Sequence, residues 1–315
     1  MDNQSRDERA WQTLEKVVSA SMEEQRRARR WGIFFKLLTF AYIFTALMLF
    51  IPRDEMAAVG GGKHIAVVKI DGVIADGELA SASNINTGLR RAFEDKNAVA
   101  IMLAINSPGG SPVQAGYVYD EIKRLRAKYP DKKVYAVIAD IGASGAYYIA
   151  AAADAIYADQ ASLVGSIGVI SASFGFTGLM EKLGVERRLF IGGENKAMLD
   201  PFSPLQARQQ KLWQTLIDQT HQQFIARVKA GRGNKLADEP LLFSGMVWTG
   251  EQALKLGLID GLGSPGHVAR DVIGEEKLVD VSIGASPFKK LIKDFGVSFG
   301  AGAADELTRL GYSLK

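Results

Sequence analysis

Ser144 stands in the stretch Asp140-Ile141-Gly142-Ala143-Ser144-Gly145-Ala146-Tyr147-Tyr148-Ile149-Ala150, after an apolar run from Val134 to Ala139 and before an alanine-rich run. The first run has the length and composition of a buried strand and the second those of a buried helix, so Ser144 falls at a strand-to-helix junction. The first turn of a helix has backbone N–H groups without intrahelical partners, and these can stabilise an oxyanion developing beside a serine nucleophile. The same position also suits a serine that only caps the helix.

A serine hydroxyl becomes a useful nucleophile when a base takes its proton. The chain has no cysteine and three histidines, His64, His221 and His267. They lie at the edge of a first strand, in the polar stretch Asp218-Gln219-Thr220-His221-Gln222-Gln223, and in a glycine-containing turn. All three read as surface positions, and none ends a central strand. A lysine can serve instead if burial disfavours its ammonium form. Lys196 lies in Gly192-Gly193-Glu194-Asn195-Lys196-Ala197-Met198-Leu199-Asp200-Pro201, just before apolar residues and away from any charged helix face. By spacing alone, its position fits a solvated loop lysine beside Glu194 better. A second cluster, Asn106-Ser107-Pro108-Gly109-Gly110-Ser111-Pro112, ends another apolar run. Gly109 and Gly110 leave the backbone free to turn its amides toward a substrate, and Gly145 puts no side chain beside Ser144. The sequence Gly-Ala-Ser-Gly-Ala differs from the Gly-x-Ser-x-Gly elbow of α/β-hydrolases.

Such clusters need strands that end side by side. His64 to Ile74 reads as a first strand with a turn at Asp71-Gly72, Ile85 to Phe93 as a helix, and Ala98 to Asn106 as a second strand. A helix opening at Pro112 and stopping at Pro130-Asp131 leads to the strand before Ser144. Strands alternating with helices predict an α/β layer structure with parallel strands, whose carboxyl ends collect the ligand-binding loops. Further on, Ala155 to Ala158 and Ser162 to Ser171 read as short β pieces, Phe174 to Leu183 as a helix, and Val185 to Gly193 as a strand. A long helix is expected from about Ser203-Pro204 to Ala230.

Residues 1–30 are polar and end in Glu23-Glu24-Gln25-Arg26-Arg27-Ala28-Arg29-Arg30, whereas residues 31–51 carry Lys36 as their one charge. About 21 residues at about 1.5 Å each match the ~30 Å hydrocarbon core of a bilayer, which predicts a retained transmembrane helix over 31–51. A cleaved signal peptide fits less well, because the polar lead is long and no small-x-small site follows. The arginines on the N-terminal side orient that end to the cytoplasm and the remaining chain to the extracytoplasmic side. Residues 52–63 form a glycine-containing linker, 64–285 the folded domain and 286–315 a weakly patterned tail with lysines and aromatics. The net charge of +3, from 38 basic and 35 acidic residues, gives no sign of a nucleic-acid partner. No metal or organic cofactor is indicated.

Four features together resemble the signal peptide peptidase A family, membrane-bound serine-lysine peptidases, in its short form. They are the Asn-Ser-Pro-Gly-Gly turn at 106–110, Ala143-Ser144-Gly145, Gly165-Ser166-Ile167-Gly168-Val169, and a lysine about 50 residues after the serine. The resemblance covers roughly residues 64–263 and the anchor. It implies a Clp protease/crotonase-like fold and an inner-membrane serine endopeptidase whose domain faces the periplasm. Ser144 would be the nucleophile and Lys196 the general base and then acid. Ser166 would orient the lysine, and the amides of Gly110 and Gly145, with Gly109 beside them, would form the oxyanion hole. It also implies a homo-oligomeric ring and apolar peptide substrates such as remnant signal peptides. Whether Ser144 and Lys196 meet within one chain or across an interface stays open. The competing functions are a crotonase-type acyl-CoA enzyme, against which the anchor speaks, and a non-catalytic membrane scaffold.

Overall fold

The computed structural model describes residues 4–50 and 62–284 of the chain. Within the first helix, side-chain exposure is described for Lys16 and for residues 21–45. These residues fall into two compact units, an N-terminal helix and the domain that starts at Gly62.

The first unit is one helix, α1 (Gln4–Phe50). It runs unbroken through most of the expected span, and Trp31, Phe34, Phe35, Leu37, Phe40 and Phe44 are exposed along it. No helix among the described residues is long and apolar enough to cross a membrane. The end of the expected span, Ile51 and the side chains of 46–50, lies outside the described residues, as do most of the linker and the 286–315 tail.

The second unit is an α/β domain. Its sheet contains β1 (His64–Asp71), β2 (Ala98–Ser107), β3 (Lys133–Ala143), β4 (Ala155–Ala158), β5 (Leu163–Gly165), β6 (Val247–Thr249), β7 (Gly261–Leu262) and β8 (Leu278–Asp280). The order is β6-β5-β3-β2-β1-β8, with β4 on β3 and β7 on β4. Every pairing is parallel except β5 with β6. The α-helices of six residues or more are α2 (Ala82–Glu94), α3 (Pro112–Lys128), α4 (Gly145–Ala150), α5 (Thr177–Lys182), α6 (Ala207–Arg232) and α7 (Gly250–Lys255). This arrangement fits the expected Clp-protease-like fold.

Period-two alternation explains why apolar runs form these strands. In β1, Ala66, Val68 and Ile70 face the main core, while Ile65 and Val67 face a smaller cluster with Met102, Val137, Val268 and Ala269. Both faces are therefore covered, and the strands read as nearly continuous apolar sequence. The helix α3 starts where predicted, with Pro112 in its first turn and the Ser111 hydroxyl accepting the Gln114 N–H.

The strand β3 changes neighbours partway along, and this change creates the site. Tyr135 to Ile138 pair with β4, whereas Ile141 to Ala143 pair with β5. Its pairing with β2 shifts register between Ile105 and Ser107. At the bend, the hydroxyl of buried Ser162 donates to the Ala139 carbonyl. The end of β3 is thus steered toward β5 and brings Ser144 to Gly165.

The region between β5 and α6 departs most from the sequence reading. The strand expected over Val185 to Gly193 has no regular structure, and α5 is shorter than the helix expected there. A strand needs a neighbour for its backbone groups, and no strand among the described residues pairs with this stretch. Residues 169–206 instead form an arm whose Ile170, Phe174 and Phe190 are 89%, 80% and 92% exposed.

Candidate active site

Ser144 is the residue between the last residue of β3 and the first of α4. Its backbone has φ 53° and ψ −124°, in the region that favours glycine. A serine held there costs about 1–3 kcal/mol and persists only where its surroundings enforce it. Here the Ser144 N–H donates to the Gly165 carbonyl at 2.8 Å, and the Ser144 carbonyl accepts the Tyr148 N–H at 2.9 Å. The side chain makes no capping hydrogen bond. The helix-cap explanation of this serine therefore fails, since a capping serine uses its oxygen to accept an N–H of the first turn.

The Gly109-Gly110 turn presses directly against this junction. Gly109 has φ 96°, and a Cβ placed on it would come within 2.6 Å of the Gly145 nitrogen and 2.8 Å of the Ser144 Cβ. The turn is fixed from its other side by Ile74, whose N–H donates to the Gly109 carbonyl at 2.9 Å and whose carbonyl accepts the Ser111 N–H at 2.7 Å. The Ser107 hydroxyl accepts the Gly109 N–H at 3.1 Å. Among the described residues, the N–H groups of Gly110 and Gly145 take part in none of these backbone bonds. They are close neighbours, for a Cβ on Gly145 would stand 3.2 Å from the Gly110 nitrogen. Two uncommitted donors beside a serine hydroxyl can stabilise negative charge on a substrate oxygen.

Ser166 follows the residue that accepts the Ser144 N–H and has φ 50°. Its N–H donates to the Met246 carbonyl at 2.8 Å. Edge strand β6 thus holds one side of the segment, with Trp248 packed so closely on Gly165 that a Cβ there would lie 2.9 Å from the indole Cδ1. The structure therefore brings together Ser144, Ser166 and the three glycines named from the sequence.

No hydrogen bond among the described residues joins Lys196 to them. Lys196 is exposed, in a turn where its N–H donates to the Gly193 carbonyl at 3.0 Å. Its ammonium group makes no hydrogen bond or ion pair among the described residues, with Ser144 or otherwise. The arm around it is held by contacts within itself and to α6. Phe176 stacks on Phe202 at 5.5 Å, Arg187 pairs with Asp200 at 3.0 Å and lies over the Phe202 ring, and Glu194 pairs with Arg208.

His64 and His221 depart from the surface positions expected for them, whereas His267 does not. His64 is buried, with Nδ1 3.1 Å from the Gly62 carbonyl and Nε2 3.1 Å from Asp95 Oδ2, at an angle too poor for a hydrogen bond. His267 is exposed and pairs with Asp271 at 2.8 Å. His221 is half-buried on α6, and its Nε2 lies 3.0 Å from the Ile167 carbonyl. None of them contacts Ser144. The sequence did carry a signal for His221, because it falls on the same helical stripe as Trp213, Ile217, Phe224 and Val228.

Known proteins share this pattern. Residues 126–278 match the model of peptidase family S49, a span that contains Ser144, Ser166 and Lys196. A protein of Enterococcus faecium provisionally named signal peptide peptidase SppA is 30% identical over 241 residues, covering 74% of this chain and 70% of that one. The chloroplastic serine protease SPPA of Arabidopsis thaliana is 32% identical over 212 residues, 67% of this chain and 31% of that protein. A Brucella melitensis protein named Na(+)/H(+) antiporter NhaA is 47% identical over 221 residues, 68% of this chain and 30% of the longer protein. The present chain therefore spans less than a third of that relative's length. The chain belongs to the signal peptide peptidase A family, peptidase family S49.

Proposed function

We propose that the protein is a membrane-anchored serine endopeptidase in which Ser144 attacks the peptide carbonyl and Lys196 is the base. The observation that carries this reading is the enforced backbone of Ser144, with its hydroxyl free of capping and the Gly110 and Gly145 amides uncommitted beside it. The serine hydroxyl passes its proton to the neutral lysine amine as its oxygen bonds to the carbonyl carbon. The two amides hold the oxyanion, and the lysine ammonium returns the proton to the departing amine. Water then releases the acyl group by the reverse sequence. Ser166 orients the lysine through its hydroxyl, and Gly109 keeps the turn against the serine.

A lysine base needs desolvation, and an exposed Lys196 lacks it. The apolar surface of the arm supplies a reason for it to become covered. Ile170, Phe174, Leu189 and Phe190 are all exposed on the arm that carries the lysine, and association of copies into a ring would bury them. The anchor is α1, whose apolar side chains between Trp31 and Phe44 lie exposed and whose arginines 26, 27, 29 and 30 mark the cytoplasmic side. The domain then faces the periplasm, next to apolar peptides such as signal-peptide remnants.

The test is hydrolysis of an apolar peptide by the full chain in detergent. Ser144→Ala and Lys196→Ala each abolish turnover, and the wild-type rate climbs toward alkaline pH as the base loses its proton. Turnover by either variant at the wild-type rate overturns the assignment.

A further inference from the structure

The arm that carries Lys196 leaves the sheet after β5 and returns at Ala207, where α6 begins. The same helix grips the start of that arm. His221 Nε2 lies 3.0 Å from the carbonyl of Ile167, the residue after Ser166. Eight residues earlier on the helix, the Trp213 indole N–H donates to the Ser171 hydroxyl at 3.0 Å. Residues i and i+8 lie within a quarter turn of each other on a helix, so both donors project from one face. The inward stripe continues through Phe224 and Val228, which are 5% and 0% exposed and root the helix in the core.

We infer that His221 and Trp213 form a clasp in which His221 is a positioning residue for Ser166 and, through the base of the arm, for Lys196. This rests on the serine-lysine reading above. A carbonyl oxygen can only accept, so His221 must carry its hydrogen on Nε2, as both the neutral Nε2–H tautomer and the imidazolium do. The clasp therefore needs a donor at this position and no change of protonation. It acts where the backbone has least freedom to adjust. The Ile167 side chain is fully buried, Ser166 sits at φ 50°, and a Cβ on Gly168 would come within 2.9 Å of the Gly245 Cα. With β6 holding one side of 165–168, His221 is the one side chain among the described residues that hydrogen-bonds a backbone group of this segment. Without it, the Ile167-Gly168 peptide loses the partner of its carbonyl and keeps only the Gly168 N–H bond to the Ser166 carbonyl at 2.9 Å, and an orienting group displaced in this way slows chemistry more than it weakens substrate binding.

The experiment uses the full chain in detergent with an apolar fluorogenic peptide, comparing wild type, His221→Gln, His221→Leu and Trp213→Phe. Amide hydrogen exchange over 166–173 is measured beside kcat and KM. The clasp predicts that His221→Leu lowers kcat roughly 10- to 100-fold with KM within about twofold, and that exchange over 166–173 rises. Glutamine restores a donor, so His221→Gln brings both readouts back to within about threefold of wild type. Wild-type kcat in His221→Leu, or a glutamine variant as impaired as the leucine one, overturns the inference. Should the leucine variant fail to fold, Trp213→Phe keeps a ring and loses the donor. Faster exchange over 169–173 with reduced kcat then supports the clasp, and wild-type exchange overturns it. Ser144→Ala and Lys196→Ala are run alongside. Activity in either one overturns the serine-lysine reading itself, whereas their inactivity together with a fully active His221→Leu overturns only the clasp.

Discussion

Gly109 lies against Ser144 so closely that a single added Cβ would stand 2.8 Å from the serine Cβ and 2.6 Å from the following amide nitrogen. Real Cβ atoms do not approach backbone this way, so Gly109→Ala must push the turn away from the serine. Its φ of 96° adds strain for any L side chain. Turnover should fall at least ~100-fold, as for loss of an oxyanion donor. Peptide hydrolysis by the variant, with circular dichroism to confirm the fold, checks this. Activity within a few-fold of wild type would mean that the turn does not serve Ser144.

The neighbouring glycine is constrained from the opposite side. A Cβ on Gly110 would meet the Ile74 carbonyl oxygen at 2.2 Å, and that oxygen accepts the Ser111 N–H. Gly110→Ala should therefore break the Ile74 bridge as well as displace the Gly110 amide. Lower activity and a lower Tm are expected together, a combination that kinetics and thermal melts on the same sample can read.

Tyr147 follows Ser144 by three residues and is fully buried, with its hydroxyl donating to the Leu258 carbonyl at 2.7 Å. Burial pushes its phenol well above the ordinary tyrosine range, with nearby Arg232 working in the other direction. The hydroxyl stays a donor at every working pH. Tyr147→Phe should cost about 1–3 kcal/mol by leaving a buried carbonyl unpaired. A Tm drop of a few degrees is the expected result, and an unchanged Tm would show that the bond contributes nothing.

Glu121 of α3 is nearly buried and accepts hydrogen bonds from Arg124 at 2.7 Å and, across to α2, from Arg90 at 2.6 Å. The Arg124 hydrogen bond, with Arg90 adding to it against the effect of burial, lowers its pKa from 4.5 to about 2. A carboxyl depressed in the folded state stabilises the protein above its unfolded pKa and loses that contribution as pH falls through the folded one. The contribution is at most about 3 kcal/mol, less for screening at the half-exposed arginines. The Tm gap between wild type and Glu121→Gln should therefore be widest near pH 6 and shrink between about pH 4.5 and pH 2. A gap that does not vary with pH would contradict this.

Much of the fold was legible because buried parallel strands leave plain traces, namely β-rich apolar runs that end in glycine and serine clusters. Ser144, Gly109, Gly110 and Gly145 could be named from those clusters, since each lies at or just beyond a strand's carboxyl end, whereas Ser166 came from the family resemblance. The arm was harder to read. Val185 to Gly193 has strand-like composition, but composition does not supply a partner strand, and the stretch stays irregular with Phe190 exposed. His221 was misread because its neighbours in sequence are polar, whereas its neighbours on the helix face, Ile217 and Phe224, point inward. The bend in β3 that joins Ser144 to Gly165 depends on a register shift and a distant serine, Ser162, and neither leaves a local sequence pattern.

In the proposed mechanism, Ser144 draws its reactivity from Lys196 and from no histidine. It is tested most directly by the rate at which a fluorophosphonate phosphonylates Ser144 in the full-length protein, followed by intact mass and peptide mapping. A serine-lysine mechanism gives one label per chain on Ser144, none in Ser144→Ala, and labelling at least ~100-fold slower in Lys196→Ala. His64→Ala, His267→Ala and His221→Gln should label within about threefold of wild type. Unchanged labelling in Lys196→Ala, or its loss in a folded His64 or His267 variant, would contradict the account.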